Sequence, residues 1–274
     1  RQRRPGAGGV TRRTTADERA QLLDAVCAMA RQAGDVIMPY FRDPELATRR
    51  KADASPVTVA DEEAEAFILA GLAALTPDIP VVAEEEVAAG RIPDVSGGRF
   101  WLVDPLDGTK EFVAKRPEFT VNIALVEDRR AVLGAVYVPA ADDLYGGGIG
   151  IGAFLEAAGG ARRPISAREV DSNAVTVAVS RTYGRGTKIS NFLSHYKVTG
   201  QIEAGSSIKF CLIACGKADI YPRWGGSSEW DTAAGHAILT AAGGSVTDTD
   251  DTTELDYAKP RFSNPDFIAW GRRD

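Results

Sequence analysis

The chain has 274 residues, of which 44% are hydrophobic and 26% are charged, and its formal net charge is −6. This composition is typical of a water-soluble globular protein with one large domain or two domains of ordinary size. The acidic balance excludes attraction of nucleic acid by bulk charge, and no apolar run approaches the ~20 residues of a membrane-spanning helix. The three cysteines form no CxxC pair, so we interpret them as small buried residues and not as a zinc site.

Two helices are predicted before the first strand. Thr15 and Glu18 form a capping-box pattern, which predicts a helix start, and Pro39 should end that helix. Thr58 and Asp61 form a second capping-box pattern ahead of an apolar run with helical spacing. The chain therefore begins with two consecutive amphipathic helices.

Short apolar strands follow the helices. They are predicted within residues 79–83, 100–104, 119–127 and 131–139. The third alternates from Phe119 to Leu125, as a half-buried strand does. The glycines between residues 145 and 155 lack the spacing of a dinucleotide-binding loop, so a hairpin is predicted there.

The pattern changes near residue 160, where glycine, arginine and proline are frequent. Strands in succession after two helices favour α+β layering before that point, and alternating strands and helices favour an α/β unit after it. We therefore predict a disordered basic tail over residues 1–14, an α+β unit over residues 15–160 and a smaller α/β unit over residues 161–274.

Four acidic side chains stand at the ends of predicted elements: Glu84, Asp104, Asp107 and Asp231. Surface charge, a turn and a helix N-cap are ordinary explanations for Glu84, Asp107 and Asp231. Asp104 is harder to explain, because an acid directly after the apolar run FWLV is costly to bury unless it is paired or binds a metal. Four carboxylates would balance two Mg²⁺ ions, which prefer oxygen ligands. Two such ions can activate a water and stabilise the leaving oxygen in phosphoryl transfer.

These acids belong to a longer series of motifs that resembles the inositol monophosphatase superfamily. The motifs are KADASPVTVAD (51–61), AEEE (83–86), DPLDGTKEF (104–112), EFTVNIAL (118–125), GSSIKFC (205–211), YPR (221–223) and EWDTAAGHA (229–237). The segments KEF and GSSIKFC favour its bacterial CysQ branch, the 3′(2′),5′-bisphosphate nucleotidases. The resemblance implies a layered αβαβα sandwich that combines α+β and α/β units, with the site between the two units.

The resemblance also implies roles for individual residues. Two or three Mg²⁺ ions would be held by Glu84, Asp104, the Leu106 carbonyl, Asp107 and Asp231. The implied catalytic residues are Thr109 and Asp61, which would share a hydrogen bond and orient the attacking water.

The implied substrate contacts are Glu84, Leu106, Asp107, Gly108, Thr109, Gly205, Ser206, Lys209, Arg223 and Asp231. The backbone N–H groups of Gly108 and Thr109 would hold a phosphate where a helix begins. Read without the resemblance, the segment GSSIKFC is a serine cap on an amphipathic helix, and Arg223 is a solvated loop charge. One feature departs from the family, since relatives usually carry a histidine soon after the strand at residues 174–180. Tyr183 is the candidate to stack on the base in its place.

The function implied by the resemblance is Mg²⁺-dependent removal of the 3′-phosphate from adenosine 3′,5′-bisphosphate, with 3′-phosphoadenosine 5′-phosphosulfate as a second substrate. The alternative is an inositol-phosphate or sugar-bisphosphate phosphatase on the same scaffold. An inactive phosphate-binding protein is disfavoured, because none of the expected acids is missing. The expected partner is a small nucleotide, without nucleic acid or integral membrane contact, and a homodimer is an option. The resemblance further implies sensitivity to Li⁺ and a cytoplasmic location, with peripheral contact at the inner membrane as a variant.

Overall fold

The computed structural model describes residues 13–43, 56–181 and 186–273. Tyr183, residues 1–12 of the predicted tail and residues 51–55 of the motif at residues 51–61 lie outside these ranges. The last residue of the predicted tail, Thr14, is bound to the body of the protein, since its backbone N–H donates to the carboxylate of Glu127 at 3.0 Å.

The capping box at Thr15 is confirmed and begins helix α1 (Ala16–Arg42). The Thr15 hydroxyl accepts from the Glu18 N–H at 3.2 Å, and the Glu18 carboxylate accepts from the Thr15 N–H at 2.7 Å. The prediction that Pro39 ends the helix is wrong, because Pro39 lies inside α1. Proline removes one backbone donor, but the last turn is kept by the burial of Tyr40, which is 2% exposed.

Helix α2 (Pro56–Leu75) begins two residues before Thr58, so the prediction of an N-cap at Thr58 is wrong. Proline suits the first helical position, because its fixed backbone angle is helical and its missing N–H would have no partner there. Helix α2 packs against α1. Its core contacts are Val59, Ala60, Ala64, Ile68 and Leu72.

A seven-stranded sheet follows, with its strands adjacent in chain order. The strands are β1 (Val81–Ala83), β2 (Arg99–Asp107), β3 (Thr120–Glu127), β4 (Arg130–Val138), β5 (Asp143–Gly148), β6 (Gly152–Glu156) and β7 (Arg163–Ile165). Strand β1 is parallel to β2 and every other pair is antiparallel. The predicted strands and hairpin are confirmed. Two short helices, α3 (Glu84–Ala88) and α4 (Thr109–Val113), directly follow β1 and β2. Helix α4 begins where the resemblance implied a helix start, whereas α3 was not predicted.

The second sheet has five strands in the order β12, β14, β10, β8 and β9. Its strands are β8 (Val175–Val179), β9 (Val198–Glu203), β10 (Ile220–Arg223), β12 (Ser245–Asp248) and β14 (Phe267–Trp270), and a separate pair joins β11 (Ser227–Ser228) to β13 (Ser263–Asn264). The connecting helices are α5 (Thr187–Leu193), α6 (Ile208–Ala214) and α7 (Ala233–Ala241). The division of the chain near residue 160 stays a prediction.

The layers follow the order helix, sheet, helix, sheet, helix. Helices α1 and α2 cover one face of the first sheet, α6 and α7 lie between the sheets, and α5 covers the second sheet through the contact of Phe192 with Trp270. Both faces of β3 are therefore covered, and all its residues are buried. The prediction of a half-buried β3 is wrong for this reason, whereas the layered αβαβα fold is confirmed.

The cysteines lie within these layers as free thiols, Cys27 and Cys211 fully buried and Cys215 half-buried. Burial raises the pKa of the Cys27 thiol to about 12. Among the described helices, none is both long and apolar enough to cross a membrane.

Candidate active site

A bulge at the end of β2 brings Asp104 and Asp107 to the same side of the sheet. Residues three apart in a regular strand point to opposite faces. Here Asp104 pairs with Asn122 and Asp107 pairs with Thr120, so β2 contains one more residue than β3 over this stretch. The extra residue restores the shared face. The bulge therefore places two carboxyl groups on one face of the sheet at the end of a buried strand.

The two carboxyl groups have different neighbours. Asp104 is 1% exposed, and its Oδ1 accepts from the Leu106 N–H at 3.0 Å. The Oδ2 of Asp107 accepts from the Ser207 N–H at 2.7 Å and from the amide of Asn122 at 3.4 Å. The Ser207 hydroxyl donates in turn to the Asn122 carbonyl oxygen at 2.7 Å. Asp107 is thus held by both the first sheet and the start of α6.

Asp231 approaches the site from the turn before α7. The N-cap of α7 is Thr232, so the N-cap explanation for Asp231 does not hold. The Oδ2 of Asp231 accepts from the Ser228 N–H at 2.9 Å. This turn is fixed by Glu229, which is fully buried and accepts from the N–H groups of Ala258 and Lys259 at 2.8 Å each.

Helix α2 contributes two buried acids one turn apart, Asp61 and Glu65. The Glu65 carboxylate accepts from the backbone N–H groups of Glu85 and Glu86, both at 2.9 Å. It thereby caps α3, whose first residue is Glu84. Glu65 was not predicted from the sequence, although its spacing of four from Asp61 places both acids on one helical face.

The predicted hydrogen bond between Thr109 and Asp61 is not formed in this structure. The Thr109 hydroxyl donates instead to the Leu106 carbonyl at 3.5 Å. Within the described residues, the buried Oδ1 of Asp61 has no hydrogen-bond partner.

The acids raise one another's pKa values. Burial and the charge of Glu84 raise the pKa of Asp104 well above its ordinary range, with Asp107, Asp231 and Asp61 adding to the effect. Burial and the charge of Asp107 raise the pKa values of Glu84 and Asp231 to about 7 each. Burial and the neighbouring glutamates raise the pKa of Asp61 to about 9. The site therefore holds more negative charge than its protein surroundings neutralise.

The carboxyl groups lie near one another, but among the described residues they do not form a ready set of metal ligands. In the part of the chain that the structure describes, no three His, Cys, Asp or Glu side chains already converge as ligands of one ion.

A cleft of about 240 Å³ opens beside Asp107 and Asp231. We call it the cleft; its predicted site residues are Asp107, Gly108, Thr109, Gly205, Ser206, Lys209, Arg223 and Asp231. Gly108 has φ +95°, and a Cβ there would lie 3.0 Å from the Glu118 carbonyl oxygen, so the turn into α4 needs glycine. The remaining predicted acids, Glu84, Asp104 and Asp61, do not line the cleft but act on it electrostatically.

Lys209 places a buried cation at the cleft. Its Nζ donates to the carbonyl oxygen of Ala204 at 3.2 Å and to that of Ser206. Burial lowers the pKa of Lys209 to about 8, with Asp107 opposing and Arg223 reinforcing this shift. The cleft thus combines clustered carboxylates with cations, as binding an anion through intervening metal ions would require.

Comparison with known proteins identifies the family. The chain matches the inositol monophosphatase family over residues 18–269. It is 46% identical over 248 residues to the 3′(2′),5′-bisphosphate nucleotidase CysQ of Salmonella typhimurium, covering 90% of this chain and 98% of that protein. The protein of the same name from Escherichia coli K12 is 42% identical over the same shares.

Solved structures agree with this assignment. The structure of CysQ from Bacteroides thetaiotaomicron superposes with a TM-score of 0.77 at 36% identity, over 92% of this chain and 98% of that chain. An inositol monophosphatase from Anabaena (Nostoc) gives 0.73 at 28% identity, over 92% and 91%. The predictions of a CysQ-like sequence and of a phosphatase enzyme are confirmed by these matches. The chain therefore belongs to the inositol monophosphatase family.

Proposed function

We propose that this protein is a Mg²⁺-dependent phosphatase that removes the 3′-phosphate from adenosine 3′,5′-bisphosphate. The observation that carries the proposal is the cleft in which Asp107 and Asp231 face the same space as Lys209 and Arg223. The names of the CysQ relatives support the substrate class. The 3′-phosphate of 3′-phosphoadenosine 5′-phosphosulfate presents the same chemistry and is a second candidate substrate.

The acids fit a divalent metal. Their donors are oxygen atoms, their pKa values are raised by burial and by mutual repulsion, and the buried Oδ1 of Asp61 has no hydrogen-bond partner among the described residues. Oxygen donors of this kind suit Mg²⁺ better than zinc. The residues proposed to hold two or three ions are Glu84, Asp104, the Leu106 carbonyl, Asp107 and Asp231. When bound, Mg²⁺ supplies charge neutralisation and activation of the attacking water.

The chain's own groups perform the remaining tasks. Thr109 lies at the cleft, and we assign its hydroxyl to orientation of the attacking water, with Asp61 as its acceptor in the loaded enzyme. Lys209 and Arg223 are assigned to the phosphate that is not cleaved, since both are cationic and line the cleft. Gly205 and Ser206 belong to the loop before α6. Lys209 holds this loop by donating to the Ser206 carbonyl oxygen.

A substrate panel tests the proposed function. Phosphate release would be measured with Mg²⁺ from adenosine 3′,5′-bisphosphate, 3′-phosphoadenosine 5′-phosphosulfate, inositol 1-phosphate and fructose 1,6-bisphosphate. We expect kcat/KM to be highest for the nucleotides. A higher value for inositol phosphate or the sugar bisphosphate would overturn the proposal in favour of an inositol-phosphate or sugar-bisphosphate phosphatase. The similarity to the Anabaena inositol monophosphatase is the reason to test inositol phosphate.

The raised pKa values predict how stability depends on pH without metal. A carboxyl group whose pKa is higher in the folded than in the unfolded state binds more protons when folded, so stability falls as pH rises from about 4 through the folded pKa. Glu84 and Asp231 titrate at about 7 and Asp61 at about 9. In EDTA, we expect the melting temperature to fall between about pH 6 and about pH 8.5, and Mg²⁺ to raise it more at the higher pH. A flat or rising melting temperature in EDTA would contradict this.

A second prediction concerns Glu65. We expect Glu65→Gln to weaken the apparent Mg²⁺ affinity by about 10- to 100-fold, as is usual when a group supporting a metal ligand is changed. The reason is that the two N–H groups donate to different oxygens of Glu65, and glutamine replaces one of these oxygens with an NH₂ group that cannot accept, so the start of α3 and with it Glu84 would loosen.

The Mg²⁺ dependence of kcat and the Mg²⁺-induced shift in melting temperature measure the effect of Glu65→Gln. The matched control is Glu62→Gln, which changes an exposed acid of the same helix. If both variants respond to Mg²⁺ as the unaltered protein does, Glu65 has no role in placing Glu84.

A further inference from the structure

We propose that Glu111 determines specificity by accepting a hydrogen bond from the ribose 2′-hydroxyl beside the scissile 3′-phosphate. This inference rests on the proposed function. Glu111 is the middle residue of the segment KEF and lies in α4, two residues after Thr109. Its side chain is 9% exposed and lines the cleft together with Lys209.

The carboxylate of Glu111 lacks a hydrogen-bond donor in the part of the chain that the structure describes. Within residues 13–43, 56–181 and 186–273, it makes neither a hydrogen bond nor an ion pair. Water can solvate it while the cleft is open. A ligand that fills the cleft displaces that water, and a buried acceptor left without a donor is costly. A good ligand must therefore bring a donor to this position.

The loop after β9 fits closely around Glu111. A Cβ on Gly205 would lie 2.8 Å from the Glu111 Cγ and 2.6 Å from the Glu118 carbonyl oxygen. Only glycine leaves room for the glutamate at this point without movement of the loop. The segments KEF and GSSIKFC, which both favour the nucleotidase branch, are thus in direct contact in the folded protein.

The negative charge of Glu111 limits which group of a ligand it can bind. Lys209 and Arg223 attract phosphate, and the proximity of Glu111 opposes the lowering of the Lys209 pKa. A carboxylate repels a phosphate but accepts readily from a hydroxyl group. In a nucleoside 3′,5′-bisphosphate, the hydroxyl next to the 3′-phosphate is the 2′-hydroxyl. The acid therefore distinguishes ribose from deoxyribose.

The test compares adenosine 3′,5′-bisphosphate with its 2′-deoxy analogue. A hydrogen bond between a hydroxyl and a charged acceptor corresponds to about 10- to 100-fold in kcat/KM. We expect the unaltered enzyme to prefer the ribonucleotide by that factor. In Glu111→Ala the preference should fall to about onefold, because the ribonucleotide loses its hydrogen bond and the deoxynucleotide no longer leaves a buried carboxylate without a donor.

Two further variants make the test decisive. Glu111→Gln keeps the shape and a neutral acceptor, so its preference should fall to about 3- to 10-fold; it serves if the alanine variant does not fold. Glu169→Ala removes an exposed glutamate in the connection between the sheets and should keep the full preference.

The outcomes separate the inference from the function on which it rests. Hydrolysis of both nucleotides at equal rates by the unaltered enzyme overturns the role of Glu111 and leaves the proposed function intact. A full preference for ribose in Glu111→Ala or Glu111→Gln also overturns that role. Absence of turnover on either nucleotide, with turnover of inositol phosphate, overturns the proposed function and the inference with it.

Discussion

Asp104→Asn is expected to lower kcat by about 10³-fold or more while the protein still folds. Asp104 is 1% exposed and carries its charge among Glu84, Asp107 and Asp231. The substitution removes one negative charge from a site that we propose to hold divalent ions, so Mg²⁺ should bind more weakly there. The asparagine oxygen can still accept from the Leu106 N–H, and the loss of a buried like charge relieves repulsion. Activity should therefore fall without a loss of stability.

The measurement is kcat over a range of Mg²⁺ concentrations, together with the melting temperature in EDTA. Asp78→Asn is the matched control, because Asp78 is exposed in the loop before β1. Its activity should equal that of the unaltered protein. Near-normal turnover of folded Asp104→Asn at limiting Mg²⁺ would remove Asp104 from the metal site.

The two acids of β2 show what a motif can and cannot reveal. The run FWLV predicted a buried strand, and the acid after it predicted a special environment, both from local rules. Simple alternation would have placed Asp104 and Asp107 on opposite faces. Only the pairing with Asn122 and Thr120 shows the bulge that brings them together. That pairing depends on a strand elsewhere in the chain, which local spacing does not contain.

The supporting contacts were missed for a similar reason. Asp107 is held by the backbone N–H of Ser207, a hundred residues further along the chain. Glu65 binds the backbone N–H groups of Glu85 and Glu86. Backbone donors are present at almost every position, so the sequence around a donor does not show which side chain will accept from it. Spacing did place Glu65 on the same helical face as Asp61, but it could not show what that face meets.

The wrong end predicted for α1 has a tertiary cause. Pro39 is unfavourable inside a helix, yet burial of Tyr40 keeps α1 helical to Arg42. Local propensity is a weak guide where the core determines the outcome. The order and type of the main strands were predictable, because their apolar runs are bounded by turns and each must be covered by a layer of helices.

Thr109→Ala is expected to lower kcat by about 10²- to 10⁴-fold, the usual range for a group that takes part in proton transfer in the transition state. The KM should change by less than about threefold, because orientation of the attacking water matters in the transition state and not in substrate binding. The hydroxyl lies at the cleft, 3.5 Å from the Leu106 carbonyl. Thr109→Ser keeps the hydroxyl and should retain most of the activity. A change confined to KM would instead make Thr109 a phosphate contact.

The double variant Asp61→Asn with Thr109→Ala tests whether the two residues act together. The structure leaves the Oδ1 of Asp61 buried without a partner among the described residues, and its pKa is raised to about 9. A carboxyl group in that condition gains from a donor, and the hydroxyl of Thr109 is the donor we propose in the loaded enzyme. If the pair works as one unit, either single variant removes its contribution, and the double variant should be little slower than the slower single variant. If the two losses in kcat multiply, the residues act independently. Thr109 would then orient the water without Asp61, and the raised pKa of Asp61 would reflect only its burial beside Glu84, Glu85 and Glu65.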